Sequence, residues 1–439
     1  MLAAMASPLA RDLTDPAENQ AVLDCASALG TGEMTVDDVA LTHGAAVAAE
    51  AEAACRSRAR VVAAGGPTHL SVVWAMYGET GRMVTRQEHP HGEDFVRVKV
   101  RQLDWLTDGT GVTWSIVAVD DGDPDTPSSA EVMREIVAGE GYPADGHRGI
   151  RVLRLADVIA GGPPIGPAFD RLTGPHQSRK GGSIIAGLAH ALRASVTGRH
   201  VVAYTDADLS ANLAQLGSLA APILQSATAG PTGDKVPVVG VLGQRYGVPE
   251  AVLVKPGGPV REPVSTGGKP DKIIVLFRHA VRATLIPDLA HVLDTQAGLK
   301  AFDSVALEGV LAHVSSFDET FDVELLILLA QRYGAAALAI EPIVFTEDFA
   351  ATNFPSVDPG ARHLAMIDQV VGLYDRLIAP SRPATGEAAD LLDLVRGLDL
   401  DAYVRLIEGL RAEDARGGRD ETLFERRWSA AQLRAILDD

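Results

Sequence analysis

The chain has 439 residues, 46% apolar and 22% charged, a balance that excludes disorder over most of its length and allows either about three domain-sized units or one large catalytic domain with appendages. Its 39 basic and 58 acidic side chains leave a formal charge of −19, which opposes binding to nucleic acid or to anionic membranes through net charge. Cys25 and Cys55 are the only cysteines and lack metal-ligand spacing, which excludes a disulfide scaffold and a structural zinc site and suits a reducing cytoplasm.

Residues 15–64 are Ala-rich, with Val22, Leu23, Ala26 and Leu29, then Val39, Ala40, Ala46, Val47 and Ala51, at helical spacing, which predicts a helical extension over 1–66. Thr35 with Asp37 and Asp38 suits a helix start, where a side-chain oxygen and early acids meet the exposed amides. Gly65, Gly66 and Pro67 end the extension. Short apolar runs at 70–74, 114–119, 150–155 and 201–204 then alternate with segments of helical potential, which predicts an α/β fold with a mostly parallel sheet and covering helices. Further strands are expected at 236–242, 273–277 and 337–344. Residues 247–271, with a turn at Pro256, Gly257 and Gly258, read as a surface hairpin or flap. After Ala379, Pro380 and Pro383 mark a linker, so the sheet domain spans 67–379 and a charged helical tail spans 380–439. No apolar run reaches about 18 residues, and Arg11, Asp12, Asp15 and Glu18 stand near the start, so neither a transmembrane helix nor a signal peptide is expected.

In sheets of this kind ligands bind beyond the carboxyl ends of the strands. Asp206 and Asp208 directly follow the fourth run, and two carboxylates one residue apart can hold a divalent cation that bridges a diphosphate. The same pair also suits a polar loop or a helix cap. Asp120 ends the second run, followed by Asp121, Gly122 and Asp123; an acceptor there can meet a base or a ribose hydroxyl, or simply turn the chain. Tyr77 and Glu79 follow the first run. Arg179 and Lys180 can neutralise phosphate while Gly181 and Gly182 admit backbone amides at a helix start, or they form a solvated basic turn. His89, His91, His279 and His363 have no ligand spacing.

The blocks SVVWAMYGE (71–79), VDDG (119–122), KGGS (180–183) with Gly187, and YTDADL (204–209) resemble the ordered motifs of family 2 glycosyltransferases. DTQAGLKAF (294–302) and FDVELL (321–326) resemble those of the dolichyl-phosphate glucosyltransferase branch. The resemblance covers residues 70–377 and implies the glycosyltransferase A-type fold, a Rossmann-like mixed sheet with an acceptor-binding half. It implies that Tyr77, Glu79 and Asp120 hold the nucleoside of a UDP- or GDP-sugar, Lys180 the diphosphate, and Asp206 with Asp208 a Mg²⁺ or Mn²⁺ ion. Arg245, in GQR (243–245), then meets an acceptor or donor phosphate, or forms a structural ion pair. Asp322 is the candidate base, or a helix-start acid, and Asp294 and Gln296 line the reaction centre, or form a structural turn.

The expected activity is metal-dependent sugar transfer with inversion. The expected acceptor is a soluble small molecule, because polyprenyl-phosphate enzymes of this branch carry membrane helices and none is expected here. The 247–271 segment and the N-terminal helices are expected to shape the acceptor side, and the helical extensions offer a route to a homo-oligomer. Neither nucleic acid nor an integral membrane segment enters this picture. Alternatives are a retaining transferase resembling glucosyl-3-phosphoglycerate synthase, a polyprenyl-phosphate glycosyltransferase, a nucleotidyltransferase, and a non-catalytic nucleotide-sugar-binding protein. The apolar stripe in 361–377 reads as packed core or as an amphipathic membrane surface.

Overall fold

The computed structural model describes residues 11–122, 126–161, 165–178, 180–226, 236–248, 250–255, 258–261, 270–346, 359–416 and 428–438; Asp123, Arg179, Pro256 and Gly257 lie outside the described residues. Strand β1 (Thr68–Met76) is buried along nearly all its length, as a parallel strand covered on both faces must be. β2 (Val112–Asp120), β3 (Gly149–Arg154) and β4 (Arg199–Thr205) follow. Then come β5 (Gly240–Gln244), a hairpin of β6 (Val252–Lys255) and β7 (Gly258–Arg261), β8 (Leu299–Asp303), β9 (Leu338–Pro342) and β10 (Val344–Thr346).

Seven strands form one sheet in the order β3-β2-β1-β4-β8-β5-β9, in which β8 runs antiparallel to both neighbours. The expected Rossmann-like mixed α/β sheet is therefore present. Its register gathers the candidate site residues at one edge. Met76 lies opposite Asp120 and Trp74 opposite Thr205, so the residues after β1, β2 and β4 emerge together. Because β8 runs backwards, its first residue, Leu299, faces Thr205, and the turn before it arrives at the same edge. Helix Gly181–Ala191 covers β1 and β2 closely: a Cβ on Gly187 would come within 2.3 Å of Val73 Cγ1.

Residues 273–277, expected as a strand, belong instead to helix Pro270–Leu285. A short apolar run does not distinguish a strand from a helix buried on several sides. Here Phe277 packs against Tyr403 of helix Leu400–Arg416, ring centroids 6.3 Å apart, so the tail covers this part of the helix. The expected strand at 337–344 splits near Ile343 between β9 in the main sheet and β10 in a second sheet of order β10-β6-β7. The strand expected at 236–242 is paired only from Gly240.

The N-terminal extension forms three helices, Pro16–Thr31, Val36–His43 and Ala45–Ala64, and Thr35 with Asp38 makes a reciprocal cap on the second. Ala46, Ala49 and Ala53 pack on Val252, Val254 and Val344, so the expected hairpin forms but is docked on the N-terminal helices. In the tail, Leu391, Leu406, Leu410 and Leu433 join the same apolar cluster as the sheet. Met366, Ile367, Val370 and Val371 are buried, which makes the 361–377 stripe core. Among the described residues no helix is long and apolar enough to cross a membrane.

Candidate functional site

Asp206 and Asp208 stand in the turn beyond β4. The Asp206 carboxylate pairs with the Lys180 ammonium. Its N–H donates to Gly298 O at 3.3 Å, and a Cβ on Gly298 would lie 1.8 Å from Asp206 Oδ2, so glycine leaves the room this carboxylate occupies. Burial pushes the Asp206 carboxyl up, but the charge and hydrogen bond of Lys180 outweigh it and hold it below the ordinary range.

Asp208 Oδ2 lies 3.2 Å from Arg82 Nη1, and Oδ1 accepts the Ser210 N–H at 3.1 Å. Arg82 also meets Glu79 at 3.4 Å and Glu93 at 3.6 Å, gathering three carboxylates around one guanidinium. Glu93 accepts the Leu209 N–H at 2.8 Å, and burial, reinforced by Asp208, pushes its carboxyl up. Lys99, shut off from water, has no hydrogen-bond partner among the described residues and sits 5.8 Å from the Trp74 ring centroid; burial drops its pKa to about 8.

At the ends of β1 and β2, Tyr77 is 44% exposed and presents a ring to solvent, whereas Asp120 is buried. Asp120 Oδ1 and Oδ2 accept the N–H groups of Gly122 and Ala130 at 3.0 and 3.1 Å, so this carboxylate shapes its turn as well as marking the strand end. Glu79 is turned toward Arg82. Asp121 accepts the Lys180 N–H at 2.8 Å and the Ser183 hydroxyl at 2.7 Å. That clamp matters because Lys180 has φ of 80°, a left-handed conformation a non-glycine residue adopts only when held there. The helix amides expected to receive phosphate are engaged already: Gly182 N–H donates to Phe317 O at 3.1 Å and Ser183 N–H to Ser178 Oγ at 3.2 Å.

On the other flank, Asp294 grips Arg245 through two contacts of 2.6 and 3.2 Å, and the guanidinium lies 4.5 Å from the Phe345 ring centroid. Burial raises the Asp294 carboxyl, but Arg245 outweighs it and holds it low. Gln296 accepts from Arg278 at 3.0 Å and donates to Glu319 O at 3.1 Å. Asp322, in the first turn of helix Phe321–Tyr333, accepts the Val323 N–H at 2.7 Å and lies 3.7 Å from Lys300 Nζ. Burial pushes the Asp322 carboxyl up against the opposing charge of Lys300. Lys300 itself donates to Ala297 O at 2.7 Å and sits over the Tyr204 ring. A small cavity between these elements is lined by Arg278, His279, Arg282, Asp294, Gln296 and Thr320.

The structure thus brings Asp206 within electrostatic reach of Lys180 and Arg245, Asp294 of Arg245 and Asp322 of Lys180, with Lys300 in reach of all three acids and Tyr77 and Asp120 at neighbouring strand ends. Sequence reasoning did not single out Arg82, Glu93, Lys99, Asp121, Gly298 or Lys300. Asp121 and Lys300 were visible inside motif blocks, whereas Arg82, Glu93 and Lys99 reach the site only through tertiary packing.

No protein-family model matches the chain, and no curated protein matches it by sequence. Among solved structures it is similar to glucosyl-3-phosphoglycerate synthase from Mycobacterium tuberculosis in complex with Mn²⁺, UDP-glucose and phosphoglyceric acid. That pair is 18% identical with a TM-score of 0.42, covering 72% of this chain and 84% of the other. It is also similar to mannosyl-3-phosphoglycerate synthase from Rubrobacter xylanophilus, at 16% identity and a TM-score of 0.43, covering 75% of this chain and 80% of that one.

Proposed function

We propose that the chain is a nucleotide-sugar-dependent glycosyltransferase of the A type that moves a sugar from a UDP- or GDP-linked donor to a small, soluble, anionic acceptor. The observation that carries this reading is the pair Asp206 and Asp208 at the end of the central strand β4, flanked by Lys180 and by Tyr77 and Asp120 on adjoining strand ends. The pair fits Mg²⁺ or Mn²⁺ in donor type, being hard carboxylate oxygens, one of which occupies the room that Gly298 leaves. Among the described residues no cluster of three His, Cys, Asp or Glu side chains completes such a site, which leaves diphosphate oxygens and water as the other ligands. A cation held by Asp206 and Asp208 supplies positive charge toward the leaving diphosphate.

The chain's own groups do the rest. Lys180 adds a second positive charge to the diphosphate, and the exposed Tyr77 ring offers a stacking face to the base. Arg245, fixed by Asp294 and by its ring contact, presents a preorganised cation, and Arg278, His279 and Arg282 line a cavity beside Asp294 and Gln296, which supports an anionic acceptor. Asp322, its carboxyl raised by burial, is the base assigned to an inverting transfer to a hydroxyl. A retaining transfer shares the donor half, and the anomer of the product, read by NMR, separates the two. A polyprenyl-phosphate acceptor is disfavoured by the burial of the 361–377 stripe.

A panel of UDP-, GDP- and dTDP-sugars, each with MnCl₂ or EDTA, tests the donor half by thermal shift, since a ligand that binds only the native state raises the midpoint. A UDP- or GDP-sugar is expected to raise it only with metal present. No response to any donor would overturn the reading.

A further inference from the structure

The turn beyond Asp208 has little regular structure, yet side chains from distant segments hold its backbone. The Leu209 N–H donates to Glu93 at 2.8 Å, and the Leu213 N–H to Gln102 at 2.9 Å. Among the described residues its hydrogen bond to the N-terminal extension comes from Asn212, whose Nδ2 donates to Glu50 Oε2 at 3.2 Å, beside the apolar packing of Ala214 in one cluster with Val47 and Ala51. Glu50 lies on helix Ala45–Ala64 and is only 4% exposed. Its Oε1 accepts from Thr346 Oγ1 at 3.2 Å, at the end of β10, and from Arg11 Nε at 3.1 Å. Thr346 closes the loop by donating its N–H to Ser210 O at 2.9 Å. Arg11 is tied further into the extension through Asn19 at 2.6 Å and Glu18 at 3.0 Å.

A buried carboxylate that serves three donors from three segments is a poor way to gain stability, because well-packed apolar residues of similar volume do as well or better. What such a group provides is fixed geometry. We infer that Glu50 is a positioning residue for the Asp206–Asp208 turn, so that the N-terminal extension acts on the donor and metal side of the site. The inference rests on the reading of Asp206 and Asp208 as the metal-holding pair. It also changes the expectation that the N-terminal helices shape the acceptor side, since Glu50 reaches the chain four residues past Asp208.

The test uses the full chain with Arg11→Met and Glu50→Met combined, which removes the buried ion pair and leaves Glu18, whose partly exposed carboxylate keeps the Asp12 N–H at 3.0 Å. Hydrogen exchange in the peptide spanning 209–214 is expected to quicken by about tenfold or more while β1 exchanges as in wild type. The Mn²⁺ concentration needed to raise the thermal midpoint, with UDP and GDP both supplied, is expected to rise by about tenfold, since ligands held loosely bind metal less well. A purely structural pair would lower the midpoint without either change. Wild-type exchange at 209–214, or a wild-type Mn²⁺ response, overturns the proposal. If wild type itself shows no Mn²⁺ response, the metal reading fails, and with it the stated purpose of Glu50, whereas faster exchange still establishes the brace. Should the double variant not fold, Thr346→Val, which deletes one donor and keeps the Arg11 pair, carries both readouts with smaller shifts of the same sign, and their absence overturns the proposal.

Discussion

Replacing Gly298 by alanine should disable the site while sparing the fold. The new methyl would stand 1.8 Å from Asp206 Oδ2 and 2.4 Å from its Cγ, whereas ordinary contact begins at 3.4 Å, so the carboxylate must retreat by about 3.4 − 1.8 = 1.6 Å. The backbone offers little relief. Asp206 N–H is bonded to Gly298 O, and the next pair, Thr205 and Leu299, is locked in the sheet. Retreat therefore falls on the side chain and pulls it from its contact with Lys180. A misplacement of about 1 Å in a positioned group can cost ~10²-fold in rate, so kcat/KM should fall by about that factor or more. Overpacking costs about 1–3 kcal/mol, which a chain of this size survives with a modest drop in Tm. The assay is nucleoside diphosphate release from the donor that the binding panel identifies, with circular dichroism to confirm folding. A folded Gly298→Ala protein with wild-type turnover would refute the claim that Asp206 must occupy this position.

Two further predictions concern buried titratable groups. His69 bonds Thr113 Oγ1 at 2.8 Å and Ser115 Oγ at 2.9 Å, and burial, with His200 and His147 nearby, holds its pKa down from 6.5 to about 4. The unfolded chain binds the extra proton first, so this contribution is complete above pH 6.5 and is lost as pH falls toward 4, amounting to about 3 kcal/mol. Glu93, whose carboxyl is raised, acts with the opposite sign but is common to both proteins compared. The stability gap between wild type and His69→Gln should therefore shrink by about 3 kcal/mol between pH 7 and pH 4, and a gap independent of pH contradicts it. For Lys99, a pKa of about 8 against an ordinary 10.5 means that burying the charge costs about 3 kcal/mol below pH 8, fading as pH rises to 10.5. Lys99→Met should raise Tm at pH 7 and give no gain above pH 10.5; a lower Tm at pH 7 would mean that the ammonium is needed to balance the surrounding acids.

The parts legible in the sequence are those that local pattern encodes. The four apolar runs became β1 to β4 because fully buried parallel strands read as continuous apolar stretches, and the polar residues after them gather at one edge of the sheet. Thr35 announced its cap. Residues 273–277 misled because five residues were read alone, whereas the buried apolar positions continue at helical spacing through Ala280, Val281 and Leu285, and β8 was hidden inside a block read for its motif. The carboxylates Asp206, Asp294 and Asp322 could be named in advance, but not what restrains them. Arg82, Gly298, Lys300 and Glu50 act across long sequence separations, and no local signal records that Glu50 meets Asn212.

The most direct test of the central claim is donor turnover by wild type and Asp208→Asn, each with saturating MnCl₂ and with EDTA. The substitution removes one charge from the carboxylate pair with little change in volume, so the folded variant should lose turnover by ~10²-fold or more, as wild type should in EDTA. Wild-type turnover in Asp208→Asn, or undiminished wild-type activity in EDTA, would show that this pair does not serve metal-dependent sugar transfer.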